Sequence, residues 1–235
     1  MQFTRPRLGL VAAAAVAAAA LAAPSVASAA VSSAHPAAAP TAAVKKLTPA
    51  QLASASKAAF VKASSVRVRA IGVATKGVIG SMDVRITPTS CDGTFNLGTI
   101  GVVHLRRIGT DVWFTGNDAL WKTAGVDPVA GAGKWAQTTT SDAFWLPVIS
   151  LCYLPIEAEL ALPKGKKWVT SPAAKINKVA TLGIRPTSPA GTIDYVAASG
   201  THLIQKQVRK GAWALYQEWN APVTITAPDP ATILA

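Results

Sequence analysis

VVHLRRIGTDVWFTG, residues 102–116, decides the fold class. Residues 102–107 and 111–115 read as two strands, with Ile108-Gly109-Thr110 as the turn between them. Strands joined by so short a turn pair antiparallel. Working outward, the same rhythm recurs upstream. Val66 and Val68 take one face of a strand while Arg67 and Arg69 take the other, and Met82-Asp83-Val84-Arg85-Ile86 repeats the device. Cys91-Asp92-Gly93 reads as a turn, and Thr94-Phe95-Asn96-Leu97 as a resumed strand.

A helix precedes these strands. Thr48 is placed to cap it and Pro49 suits its first position. Leu52, Ala55, Ala59 and Ala63 fall on one stripe with Phe60 beside it, until Ser64-Ser65 ends the period. Downstream of Gly116 the rhythm is irregular. Residues 117–121 suit one helical turn, and 127–135 read as loop. Ser141-Asp142 suits the cap of a second helix through Ala143, Phe144 and Trp145, which Pro147 interrupts before an apolar stretch to Leu162. Strand rhythm then returns over 179–185, 192–197, 202–209, 212–220 and 223–226. Pro189-Ala190-Gly191, Ser199-Gly200 and Lys210-Gly211 supply turns. Helix, strands, helical insert and strands together predict an α+β fold, with one antiparallel sheet covered by helices on one face. No internal repeat, P-loop or Rossmann signature occurs.

The amino terminus is a separate region. Arg5 and Arg7 precede an uncharged, Ala-rich run from Leu8 to Ala23, and Ala27-Ser28-Ala29 forms an A-x-A box. That is the layout of a cleaved export signal over residues 1–29. A bilayer-spanning helix needs roughly 20 strongly apolar residues, so a retained anchor is the weaker alternative. Residues 30–46, rich in Ala, Pro and Ser, read as a flexible linker, leaving a single domain over 47–235. The formal charge is +12, and two of those charges lie in the leader. The excess favours anionic surfaces or polymers. Its bases are scattered, the densest run being Lys164 to Lys167, so a nucleic-acid-binding arm is not expected.

The only cysteines, Cys91 and Cys152, suit one disulfide in an exported chain, with two separate buried thiols as the alternative. His35, His104 and His202 show no metal-ligand spacing, and no G-x-S-x-G elbow supports a catalytic triad. Glu157 and Glu159 read as a solvated acidic pair. Neither enzymatic activity nor a cofactor is expected. What stands out is Trp. Trp113, Trp121, Trp135 and Trp145 fall close together, joined by Phe114 and Phe144. They either fill the core between sheet and helices or line an apolar cavity.

Several segments, in this order, resemble the actinobacterial LppX/LprG-type lipoproteins. They are Ala63-Ser64-Ser65-Val66-Arg67-Val68, Cys91-Asp92-Gly93-Thr94, Gly109-Thr110-Asp111-Val112-Trp113-Phe114-Thr115-Gly116 and Gly133-Lys134-Trp135. Tyr195-Val196-Ala197 and the run from Trp219 to Pro228 complete the set. The resemblance implies a fold like that of the carriers LolA and LolB, in which a curved antiparallel half-barrel wraps around helices and a hydrophobic cavity takes acyl chains. It implies binding or shuttling of a lipid or lipidated glycan at the cell envelope, with no catalytic residues. In this reading the acyl chain lies near Trp113, Phe114, Trp121, Phe144, Trp145 and Ile149, and Lys164, Lys166 and Lys167 meet an anionic headgroup. The sequence departs from the family in having no lipobox cysteine, so the expected product is secreted without a lipid anchor. The alternative is a basic envelope protein with a filled core that binds anionic polymers or a protein partner.

Overall fold

A computed structural model describes residues 46–75, 78–188 and 191–234. The expected leader, the linker up to residue 45 with His35, and the Pro189-Ala190 part of one turn lie outside the described residues.

Eleven strands form one sheet: β1 (Val66–Thr75), β2 (Val78–Ile86), β3 (Ser90–Asn96), β4 (Val102–Ile108), β5 (Asp111–Gly116), β6 (Ala136–Thr139), β7 (Trp168–Ile176), β8 (Val179–Pro186), β9 (Ile193–Ala197), β10 (Ile204–Arg209) and β11 (Ala212–Gln217). Their spatial order is β6-β5-β4-β3-β2-β1-β11-β10-β9-β8-β7. Two meanders therefore meet where the first strand pairs with the last, in the register Val68↔Tyr216 and Ala70↔Ala214. Every adjacent pair is antiparallel. The sheet is curved and unclosed, with β6 and β7 at its edges.

Alternation decides what each face carries. Val66, Val68, Met82, Val84, Ile86, Phe95, Val103, Leu105, Val112 and Phe114 point into the concavity and are buried. Arg67 points outward, pairing with Asp83 at 2.7 Å and Glu218 at 2.9 Å. Those exposed pairs contribute little stability, so the concave face carries the folding energy.

Helix α1 (Pro49–Val61) begins as expected. The Gln51 N–H donates to Thr48 Oγ1, and the Thr48 N–H donates to the Gln51 side chain. Its buried stripe differs from the one read from the sequence. Leu52, Ala53, Ser56 and Phe60 are buried, while Ala55 and Ala59 lie on the flank. The physical reason is Phe60, whose ring meets Tyr216 and Trp219 edge-on at 5.5 and 4.9 Å and so sets the rotation of the helix.

The insert between the meanders holds α2 (Asp118–Thr123), α3 (Pro128–Gly131), β6, α4 (Leu146–Ile149) and α5 (Leu154–Ala161). Pro147 does not interrupt a helix begun at Asp142. It stands in the first turn of α4, where a missing N–H costs nothing. Asp142 caps the preceding turn, accepting from the N–H groups of Phe144 and Trp145.

Other expectations also shift. Cys91-Asp92-Gly93 lies inside β3, and the turn is Thr87–Ser90, closed by a 2.8 Å backbone bond. Gly93 serves close approach there, since a Cβ would stand 2.4 Å from the Asp83 carbonyl. Strand β7 carries no clean alternation, its register shifting between Ser171 and Ala174, and β6 alternates over only four residues. Residues 223–226 are not a strand. That segment runs along the outer face, where Arg106 donates to the Thr226 carbonyl at 2.8 Å. Cys91 and Cys152 are bonded, tying β3 to the turn ahead of α5.

Candidate functional site

The Trp-rich end of the concave face is filled. Phe114 from β5 packs on Trp145 at 4.4 Å and on Trp121 of α2 at 5.9 Å between ring centroids, and Ile149 is fully buried with them. Gly131 lets α3 close over this group, because a Cβ there would stand 2.6 Å from the Trp121 ring. Phe144 meets Trp145 edge-on at 5.1 Å but remains 47% exposed. With Phe114, Trp145 and Asp142 it borders a groove of about 350 Å³ beside β6. Trp113 is placed apart from the others. Strand alternation turns Val112 and Phe114 inward and Trp113 outward, opposite Arg106, where it is buried on the other face.

Lys164 and Lys166 line a different groove, of about 250 Å³, together with Lys57, Ser54 and Trp168, and Lys167 is exposed in the same turn. No residue is common to this groove and the aromatic one.

A third space lies on the concave face beneath α5, with a volume of about 240 Å³. Its sheet wall is made of Ala70, Ala212, Ala214 and Met82. Ala70 and Ala214 are cross-strand partners, so two small side chains stand where a pair of large ones would fill the volume. Leu151 and Leu160 form the opposite wall, and exposed Leu160 and Arg209 mark the rim.

One end of this half-open space is polar. Glu157 of α5 reaches it, only 3% exposed, and its Oε1 has no hydrogen-bond partner. Burial pushes the Glu157 carboxyl up to about 8, against the pull of Arg209. Gln207 of β10 also lines the space, and its amide donates to Asp194 Oδ1 at 2.7 Å and to the Ala161 carbonyl at 2.9 Å. Asp194 stands behind it, fully buried, its other oxygen without a partner and its carboxyl raised to about 7 by burial. Arg209 donates to the Leu160 carbonyl at 2.7 Å. Burial and the two acids together raise the Tyr216 hydroxyl well above its usual range.

The expected solvated acidic pair is thus split. Glu159 is exposed and ion-paired with Lys57, while Glu157 is buried. The reason is helical geometry: in α5, Leu154, Glu157, Ala158 and Ala161 share the buried face. Helical spacing within Leu154-Pro155-Ile156-Glu157-Ala158-Glu159-Leu160-Ala161 was the signal that could have found it.

Elsewhere, His104 bonds Asp92 at 3.1 Å and His202 bonds the Ala197 carbonyl at 3.0 Å. Among the described residues, no group of three or more His, Cys, Asp or Glu side chains could hold a metal ion. No helix among them is long and apolar enough to cross a membrane.

Two solved structures share this fold. LprF from Mycobacterium bovis matches with a TM-score of 0.55 at 14% identity, covering 77% of this chain and 96% of that one. The lipoprotein LppX from Mycobacterium tuberculosis matches with a TM-score of 0.50 at 17% identity, covering 75% of this chain and 97% of that one. The likeness is one of fold, an unclosed and curved antiparallel sheet of the LppX/LprG type. No protein-family model and no curated protein matches the sequence.

Proposed function

We propose that this chain is an exported, non-enzymatic lipid carrier of the cell envelope, holding an acyl chain in the cavity between the concave sheet and α5. The observation that carries this reading is the Ala-walled space itself, apolar along its length and polar at one end. Each methylene moved from water into such a space contributes about 0.8 kcal/mol, so part of a chain already confers useful affinity. The volume suits one tail rather than several, being below the roughly 300–1,000 Å³ usual for drug-sized ligands. The shared fold supports the reading at the level of architecture, and the A-x-A leader agrees with export.

In this proposal residues 1–29 are the leader, 30–46 the linker and 47–235 the carrier domain. Phe114, Phe144 and Trp145 border a second groove that a longer tail or another lipid can use, and Lys164, Lys166 and Lys167, at a separate groove, offer charge to an anionic envelope surface.

Trp213 lines the cavity and reports on it. Native mass spectrometry of protein from its own host is expected to find a bound lipid. Titration with lauroyl and palmitoyl probes is expected to change Trp fluorescence, tighten with tail length and respond little to salt. Ala214→Phe should abolish that response and Phe144→Ala should leave it. No lipid in either experiment, or binding to anionic polymers alone that fades steeply with salt, sinks the proposal in favour of a basic polymer-binding protein.

A further inference from the structure

The polar end of the cavity carries more information than its volume. A hydrogen-bonding side chain buried against apolar walls is costly unless something pairs with it. Glu157 lines the cavity, and its Oε1, enclosed by the protein, has no partner there. Gln207, on the sheet side of the space, has both amide hydrogens already committed, to Asp194 and to the Ala161 carbonyl. What Gln207 has left for an occupant is its carbonyl oxygen, an acceptor.

Resting on the lipid-carrier reading, we propose that this cavity selects a lipid whose head is uncharged and carries a hydroxyl or ester oxygen, such as a polyol monoester, with Glu157 as donor and Gln207 as acceptor. A hydroxyl both donates and accepts, and so matches one donor beside one acceptor. The charged groups around this end come from every element that packs there. Helix α5 contributes Glu157, β9 contributes Asp194, β10 contributes Arg209, and β11 contributes the Tyr216 hydroxyl. From β1 and β2 come Ala70, Ile71, Gly72 and Met82, none of them charged.

That set disfavours charged heads of both signs. A fatty-acid carboxylate would bring an uncompensated charge into this largely buried end, where the one guanidinium is already bonded to the Leu160 carbonyl. An alkylamine would meet that guanidinium at the rim of a strongly basic chain. A neutral head escapes both penalties. The raised Glu157 carboxyl keeps its proton at neutral pH and can donate, and it loses that ability above about 8.

The test compares monolauroylglycerol, laurate and dodecylamine on the full chain at about pH 6 and about pH 9.5, read by Trp fluorescence. The expected result is that monolauroylglycerol binds tightest at the lower pH and weakens about tenfold at the higher, the effect of one lost hydrogen bond. Glu157→Gln, whose amide donates without titrating, should bind equally at both. Glu157→Leu should bind about tenfold more weakly at both. Dodecylamine binding best and tightening as pH rises would overturn the inference by showing that an ionised carboxylate selects a cation. Glu157→Leu binding monolauroylglycerol as well as the unaltered chain would overturn it too. If no probe binds the unaltered chain at either pH, the carrier reading itself falls, a different failure from loss of selectivity.

Discussion

Two stretches of one concave face behave in opposite ways. Under α2 and α4, Phe114, Trp121, Trp145 and Ile149 fill the space down to ring contacts of 4.4 Å. Under α5, Ala70, Ala212 and Ala214 leave about 240 Å³ open, with a buried acid at the end. The backbone device is the same in both, a curved antiparallel sheet beneath short helices. Side-chain volume makes the difference: large rings pack into a core at the Trp-rich end, and small alanines leave space at the other.

That contrast can be broken experimentally, beginning with its strongest side. Trp121→Ala should cost about 3–5 kcal/mol in denaturant unfolding, because Trp121 is 1% exposed and Gly131 is fitted to its ring. A cost below about 1 kcal/mol would mean the aromatic end is not close-packed. Removing the Cys91–Cys152 bridge by a double Ala substitution should cost about 2–4 kcal/mol, since it closes a long loop with a sequence separation of 61. The bridge holds the insert beside Arg107, a buried guanidinium that donates to the Cys152 carbonyl at 3.0 Å. Reduced and oxidised protein compared by thermal unfolding measures the same quantity.

A smaller effect concerns pH at the open end. The folded chain keeps a proton on Glu157 that the unfolded chain loses near 4.5, so its contribution to stability is complete below that pH and disappears as pH rises through about 8. Asp194 acts in the same direction, between its ordinary value of 3.8 and about 7. Stability of the unaltered chain should therefore fall across this window, by on the order of a few kcal/mol, and Glu157→Gln should flatten much of the fall. A profile identical in both proteins would show that the carboxyl is solvated. The smallest effect sharpens the comparison most. Ala214→Phe should change stability by less than about 1.5 kcal/mol, because it grows into open space. Gly131→Ala, a much smaller addition, should cost more, because its new carbon meets the Trp121 ring at 2.6 Å.

Much of the scaffold was visible in residue order. Alternation in Val66 to Arg69 and in Met82 to Ile86, the Gly109 turn and the Thr48-Pro49 start all stand as read. The edge strands β6 and β7 were not visible, since β6 is only four residues long and the register of β7 shifts between Ser171 and Ala174. The Trp cluster was seen as a group, but only alternation along β5, applied residue by residue, separates Trp113 from Phe114. The cavity gave no signal at all. Its walls are alanines drawn from β1 and β11, which lie far apart in the chain.

By itself, then, the sequence determined an antiparallel α+β chain and a pair of cysteines suited to bridging, because periodicity, capping and composition are local properties. Tertiary structure alone decided that Glu157 is buried while Glu159 is paired with Lys57, and that an open volume lies under α5 as well as beside the aromatic cluster. The physical reason is that burial and empty space belong to pairs of surfaces brought together by β1–β11 pairing and helix packing, and no window of residues contains both.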